Sequence, residues 1–388
     1  MWAALNMRFI LSSVAVPFLA LSLVACSSTG PINEPTELVD IENPSKVKRL
    51  WKASTSSSDL NLVYDHIRPV LVDDLLYSVS AKGIAYAFDR QKGKQQWKSD
   101  LDVVISAGVG VNAKALFVGT SKGELLALDR NNGEVLWRQR LSSEIMSQPV
   151  ATSSLVVVRC GDGSAYGLDT ENGNQVWHYP HNMPALTLRG ESVPVIVDGT
   201  VLLGTADGRL VALSIYDGSV SWESALVVAQ GRTDLERMVD VDATPVVADG
   251  TVYSVAHQGR VVALSLLTGV LQWSRDIGSS AGLTVDAHHV YVVDDEDQVW
   301  ALDRRNGASL WKQDQLKFRS VTAPARIENA VVVGDFEGYL HWLSLDDGKI
   351  FARHQVHDDG VRVAPIVLDN TLYVRSKVGK LEALSLVE

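Results

Sequence analysis

Lys122-Gly123-Glu124-Leu125-Leu126-Ala127-Leu128-Asp129, followed by Gly133 and Trp137, is the stretch on which the reading of this chain turns. Its pattern returns at nearly regular intervals, and a fixed period of this size is the mark of a stacked or radial repeat. The first glycine recurs as Gly83, Gly123, Gly163, Gly208, Gly259, Gly338 and Gly379, with Asp297 in the sixth slot. The second recurs as Gly93, Gly133, Gly173, Gly218, Gly269, Gly307 and Gly348. Trp97, Trp137, Trp177, Trp222, Trp273 and Trp311 stand four residues after their glycines, while the seventh slot holds Ala352 beside Phe351. Six repeats place a proline fourteen residues before the first glycine: Pro69, Pro149, Pro194, Pro245, Pro324 and Pro365.

Within each period four short β-branched runs are separated by turn residues, as in Pro245-Val246-Val247, Thr251 to Val255, Arg260 to Ser265 and Val270 to Trp273. Four such strands make one propeller blade. Val211-Ala212-Leu213 and Val262-Ala263-Leu264 show no polar alternation, as expected of a sheet packed on both faces. Proline fits the start of a first strand, where no ladder donor is required. Tryptophan on the fourth strand is expected to wedge between blades. The last repeat, Pro365 to Leu386, supplies only three strands, whereas Arg49-Leu50-Trp51-Lys52 matches Val135-Leu136-Trp137-Arg138. The expected fold is therefore all-β: an eight-bladed β-propeller of four-stranded blades, its ring closed by the N-terminal Trp51 strand completing the last blade, which also removes exposed sheet edges.

Ahead of the repeats, Arg8 and an apolar run from Phe9 to Ala25 lead to Leu23-Val24-Ala25-Cys26. The run is shorter than the roughly 20 residues a membrane-spanning helix needs, and reads as a signal peptide over 1-25, with Met1 or Met7 as the start. The tetrapeptide resembles the bacterial lipobox, which implies lipidation of Cys26, and Ser27 after it implies delivery to the outer membrane. Residues 26-46, rich in Ser, Thr, Gly and Pro, are expected to form a flexible tether. Residues 47-388 then form a single domain. Only Cys160 remains besides Cys26, so no intrachain disulfide framework is expected, and Cys160, ending an apolar run, reads as a strand thiol. The formal charge of −11 becomes −12 without Arg8, which argues against nucleic acid or anionic lipid surfaces as partners.

Ala127-Leu128-Asp129 through Gly133 to Trp137 resembles the tryptophan-docking repeat of pyrroloquinoline-quinone dehydrogenase propellers, a likeness of fold more than of chemistry. With a lipobox, a short tether and a bare eight-repeat propeller, the chain resembles the BamB (YfgL) family, lipoproteins of the outer-membrane β-barrel assembly machinery. Two stretches carry the resemblance furthest: Ala185-Leu186-Thr187-Leu188-Arg189-Gly190-Glu191-Ser192 and Met238-Val239-Asp240-Val241-Asp242-Ala243-Thr244-Pro245. They look like the segments through which that family contacts BamA, the barrel subunit with periplasmic POTRA domains. The resemblance implies Leu186, Leu188, Arg189, Asp240 and Asp242 as partner-binding residues. It further implies other Bam lipoproteins as companions, unfolded outer-membrane proteins as clients, a periplasmic propeller anchored to the outer membrane, and a non-catalytic scaffold without cofactor.

The spacing reaches the same loops independently. Tryptophans stand 40 residues apart from Trp97 to Trp137 to Trp177, then 45 to Trp222 and 51 to Trp273. Both insertions fall between a tryptophan and the next repeat's proline, on one face of a propeller. Leu186 and Leu188 in the shorter, and Leu226, Val227, Val228 and Leu235 in the longer, rimmed by Arg189, Arg232, Arg237, Asp240 and Asp242, fit a protein-binding patch. The alternative is that these apolar groups fold back over the rim.

Two other readings stay open: a quinone-dependent dehydrogenase, or a binding propeller for another envelope ligand such as a peptide or cell-wall glycan. The outer sheet edges could also offer strand addition to client proteins. Trp300 and Trp342, outside the repeated slot, read as packing. Asp294-Asp295-Glu296-Asp297 has the composition of a Ca²⁺ loop but reads as a solvated turn. His288-His289 and His354-x-x-His357 beside Asp358 and Asp359 have spacings that suit zinc, with no third convergent ligand evident. No phosphate-binding loop or nucleophile motif is present.

Overall fold

The computed structural model describes residues 33–55, 67–184, 192–227 and 239–387, and Pro35–Glu388 forms one compact unit. The four runs of each period become four antiparallel strands, and the eight resulting four-stranded sheets form a ring. In blade two, for example, the strands are Ile105–Val111, Ala115–Thr120, Glu124–Asp129 and Val135–Arg140. The expected closure is present: Val47–Ser54 pairs antiparallel with Lys380–Leu386, with Trp51 opposite Ala383. Second and third strands are buried almost throughout, while fourth strands alternate. That gradient follows from blades stacking face to face around an axis.

The tryptophans perform one repeated task. Each ring crosses to the following blade, where its indole N–H donates to a backbone carbonyl: Trp51 to Arg90 (2.7 Å), Trp137 to Thr170 (3.0 Å), Trp177 to Ile215 (2.8 Å) and Trp311 to Leu345 (2.7 Å), for instance. The indole therefore buries its apolar body without stranding its polar handle. The receiving turn carries the second glycine of the repeat. At Gly133, with φ of 76°, a Cβ would lie 2.6 Å from the Trp97 ring; glycine is required both for the left-handed turn and for the approach of the ring. A bulge helps aim the indole. Trp137 pairs with Ala127 and Val135 with Leu128, which leaves Leu136 as an extra residue turned outward and 52% exposed.

The same rule explains the missing seventh tryptophan. A ring at Ala352 would have to dock on the turn joining the third and fourth strands of blade eight. Those strands belong to opposite ends of the chain, so no such turn exists. Ala352 is buried opposite Trp342 instead.

One expectation needs correction. The tether was expected to run freely to residue 46, yet the segment from Thr36 to Ser45 lies along the propeller. The Thr36 amide donates to the Lys317 carbonyl at 3.0 Å, the Ser45 amide to the Phe351 carbonyl at 2.9 Å, and Leu38 packs against the core around Tyr291 and Leu316. The segment is poor in large apolar groups, but its carbonyls are captured by the buried Arg319 and the half-buried Arg353, both far away in sequence.

Candidate functional site

The two stretched connections leave after Trp177 and Trp222, and their central parts, 185–191 and 228–238, lie outside the described residues. Leu186, Leu188 and Arg189 are among them, as are Val228, Arg232, Leu235, Arg237 and, nearer the start of the chain, Cys26. The returning ends are described, and they are joined. Ser192 Oγ donates to the Ala243 carbonyl at 3.3 Å, and the Val193 amide to Thr244 Oγ1 at 3.3 Å. Gly204, on the second strand of blade four, makes room for this junction, since a Cβ there would lie 2.4 Å from the Val241 carbonyl. Spacing placed the insertions on one face; the hydrogen bonds make their returning ends neighbours.

Asp240 and Asp242 sit on the longer return. Asp240 is fully buried and Asp242 half-buried, so of the two only Asp242 keeps part of its side chain at the surface. The backbone around Asp240 is tied on both sides: its carbonyl accepts the His257 amide at 2.9 Å, and the Val241 amide donates to the Thr205 carbonyl at 3.1 Å. The expected apolar patch also changes. Leu226 is fully buried in the core of blades four and five, and Val227 packs on the same cluster. For these two residues the fold-back reading is the correct one, because the Leu226 amide bonds to the Gly208 carbonyl at 2.9 Å and turns the chain inward.

Three charged groups that sequence reasoning did not single out for this site gather around the aspartates. Arg159, closing the second strand of blade three, is 6% exposed. Burial pushes its pKa below the usual guanidinium range, opposed by the nearby Asp242 and Asp240 carboxylates. His257 Nδ1 lies 3.0 Å from Asp295 Oδ1. That hydrogen bond raises the imidazole pKa against a lowering by burial, with further raising from Asp242 and Asp240. Asp240, Asp242, Arg159, His257 and Asp295 thus form one mixed-charge cluster beside the returning ends of the insertions. Nothing in it converges on a reacting atom. The only hint of Arg159 in the sequence was a charge ending the apolar run Leu155 to Val158.

The remaining chemical candidates disperse. In the acidic run, Asp294 Oδ1 accepts the Glu296 and Gln298 amides, Asp295 holds His257, Glu296 pairs with Lys317 at 2.8 Å, and Asp297 accepts the Ser320 and Val321 amides. Four carboxylates with four separate duties do not form one ion cage. His354 pairs with Glu382 at 2.8 Å and His357 with Asp359 at 2.6 Å, so the two histidines do not share a centre. Among the described residues His357, Asp358 and Asp359 alone group closely enough for an ion, and Asp359 Oδ2 is already taken by Ser376 and the Val378 amide. Burial pushes the Cys160 thiol up to about 11, which keeps it protonated. Trp342 is core, and Trp300 donates to Asp294 Oδ2 at 2.8 Å under the Lys312 ammonium. A recess near the axis is lined by Arg68, Ser106, Met146, Ser147, Gln148 and Val193 with small residues between them. It presents neither the carboxylates nor the aromatic rings a quinone and its metal would require.

Fold and repeat together define a tryptophan-docked eight-bladed propeller whose distinguishing feature is a pair of joined insertions over blades four and five. The family model described as outer membrane protein assembly factor BamB matches residues 81–313. The outer membrane protein assembly factor BamB of Alkalilimnicola ehrlichii is 46% identical over 383 residues, covering 99% of this chain and 98% of its own length. The crystal structure of BamB from Moraxella catarrhalis superposes with a TM-score of 0.78 at 28% identity, covering 86% of this chain and all of that one. A europium-containing methanol dehydrogenase reaches a TM-score of 0.74 at 13% identity, over 88% of this chain and 94% of its own, a likeness of fold alone. The chain belongs to the BamB family of outer membrane protein assembly factors.

Proposed function

We propose that this protein is a non-catalytic adaptor lipoprotein of an outer-membrane β-barrel assembly complex. It is held under the outer membrane through Cys26 and docks on the periplasmic POTRA region of a BamA-type barrel protein. The contact surface is the paired insertions, with Leu186, Leu188 and Arg189 from the shorter and Asp242 from the longer, supported from below by Asp240. The observation that supports this reading is the junction of Ser192 with Ala243 and of Val193 with Thr244, which brings the returning ends of the two insertions together. Arg189 offers a planar fork suited to a carboxylate, and Leu188 an apolar anchor beside it. Lipid tethering raises the local concentration of the two partners, so a modest interface suffices. Other lipoproteins of the complex and unfolded outer-membrane proteins are its further partners.

Replacing Leu188 and Arg189 together by alanine should abolish co-purification of the barrel protein while leaving the melting temperature unchanged. Full recovery of the barrel protein with the double variant would reject this surface.

A further inference from the structure

The strap from Thr36 to Ser45 ends on a chain of buried charge that the adaptor reading does not use. Arg319, 3% exposed, enters just before the first strand of blade seven. Its Nε donates to Asp335 Oδ2 and its Nη1 to the Thr36 carbonyl, both at 2.9 Å, while Nη2 pairs with Glu337. Asp335 Oδ2 also lies 3.0 Å from His341 Nε2, and Arg353 Nε donates to His341 Nδ1 at 3.2 Å. Arg353 then donates from Nη1 to the Val39 carbonyl at 3.1 Å. Arg319, Asp335, His341 and Arg353 therefore form one continuous relay whose two ends each grip a carbonyl of the strap. The rings of Phe336 and Tyr339 lie against the two guanidinium groups at 5.0 and 6.0 Å. Asp335 and His341 are both fully buried. Such a set is costly to desolvate unless every member is paired, and the strap supplies two of the acceptors.

We propose that Thr36–Ser45 is a fixed clasp on the rim of blades six and seven, so that the leash from the membrane anchor ends at Thr36 rather than at the first strand. The leash length rests on lipidation of Cys26; the clasp does not. Ten Cα steps separate Cys26 from Thr36 and span at most about 35 Å fully extended, whereas a free chain to Val47 would span about 70 Å. The clasp halves the reach of the propeller and makes the rim of blades six and seven the point from which the anchor departs. The returning ends of the paired insertions belong to blades four and five, a different part of the ring.

Amide hydrogen exchange on the full-length lipidated protein tests the clasp. The Thr36 and Ser45 amides, which donate to the Lys317 and Phe351 carbonyls, should exchange on the order of 10- to 100-fold more slowly than in free chain, read in the strap peptides that contain them. Arg353→Met, and separately Leu38→Asp, should return them to free-chain rates. Leu38→Asp alters only the strap, so it keeps the test valid if the arginine variant folds poorly. Unprotected strap peptides in the unaltered protein, or protection that survives Leu38→Asp, would overturn the proposal. Cys26→Ser should leave the protection unchanged, so absence of lipid on Cys26 would refute the anchor without touching the clasp.

Discussion

Seven joints of the ring and the eighth are built from different chemistry. Between successive blades from eight through seven, an indole crosses over, covers a glycine turn and bonds to a carbonyl, as Trp177 does with Gly218 and Ile215. Between blades seven and eight the indole is replaced by Ala352; the blades still pack through an apolar cluster of Trp342, Ala352, Leu372, Val374 and Leu384, and ionic contacts are added to it. Glu382, 4% exposed on the third strand of blade eight, accepts from Arg49 of its own blade at 2.9 Å and pairs with His354 of blade seven at 2.8 Å. The clasp lies along the same blade. The lesson is that a docking residue needs its receiver: where the third and fourth strands of a blade come from opposite ends of the chain, there is no turn for a tryptophan to cover, and an ion pair supplements the apolar packing instead.

That contrast is open to direct attack. The largest effect is expected at an apolar joint. Trp177→Ala should lower stability by about 3 to 5 kcal/mol, because Trp177 is 4% exposed and anchors the packing of blades three and four; denaturant melts would show it, and a loss under 1 kcal/mol would mean the rings merely decorate the joints. At the ionic joint Glu382→Gln should cost about 2 kcal/mol, since a buried carboxylate accepting on both oxygens is replaced by a neutral amide with one acceptor oxygen. The contrast would collapse if this variant were as stable as the parent.

The smallest effect is one of pH, and its two contributors have opposite signs. Burial lowers the pKa of His341, which is therefore neutral when folded. Below about pH 6.5 the unfolded chain takes up a proton that the folded one refuses, so stability falls as the pH drops from there toward the folded value. The charged groups around the ring are Asp335, Arg353 and Arg319. For His257, raised by Asp295, the contribution is complete below about pH 6.5 and is lost as pH rises through the folded value. The profile of unfolding free energy should thus bend near pH 6.5. His341→Gln should remove only the acid-side fall, and His257→Gln only the loss on the alkaline side; an unaltered profile in either variant would contradict the assignment.

The proposed partner surface lies on the other side of this comparison. It gathers around insertions, where the repeat requires nothing of the added residues, whereas Ala352 and the clasp mark where the repeat is interrupted by the ends of the chain. The insertions were legible because the tryptophan spacing lengthens from 40 to 45 and 51 residues. The interior role of Asp240 and the inward turn of Leu226 were not, because the connection mixes apolar and charged residues without a period, and burial there depends on Thr205 and His257 from the turns after the second strands of blades four and five.

By itself the sequence determined the number of blades, the strands in each, the indole wedges and the closure through Trp51, because each depends on contacts repeated at one period along the chain. It determined the family for the same reason. Only the tertiary structure gave the reason for Ala352 in the tryptophan slot and revealed the capture of the Thr36–Ser45 segment. Arg319 reaches Thr36 across 283 residues and Arg353 reaches Val39 across 314. Such pairings have no local pattern to betray them, and they exist because closing the ring through Val47–Ser54 in blade eight lays the segment before it against the neighbouring blade seven.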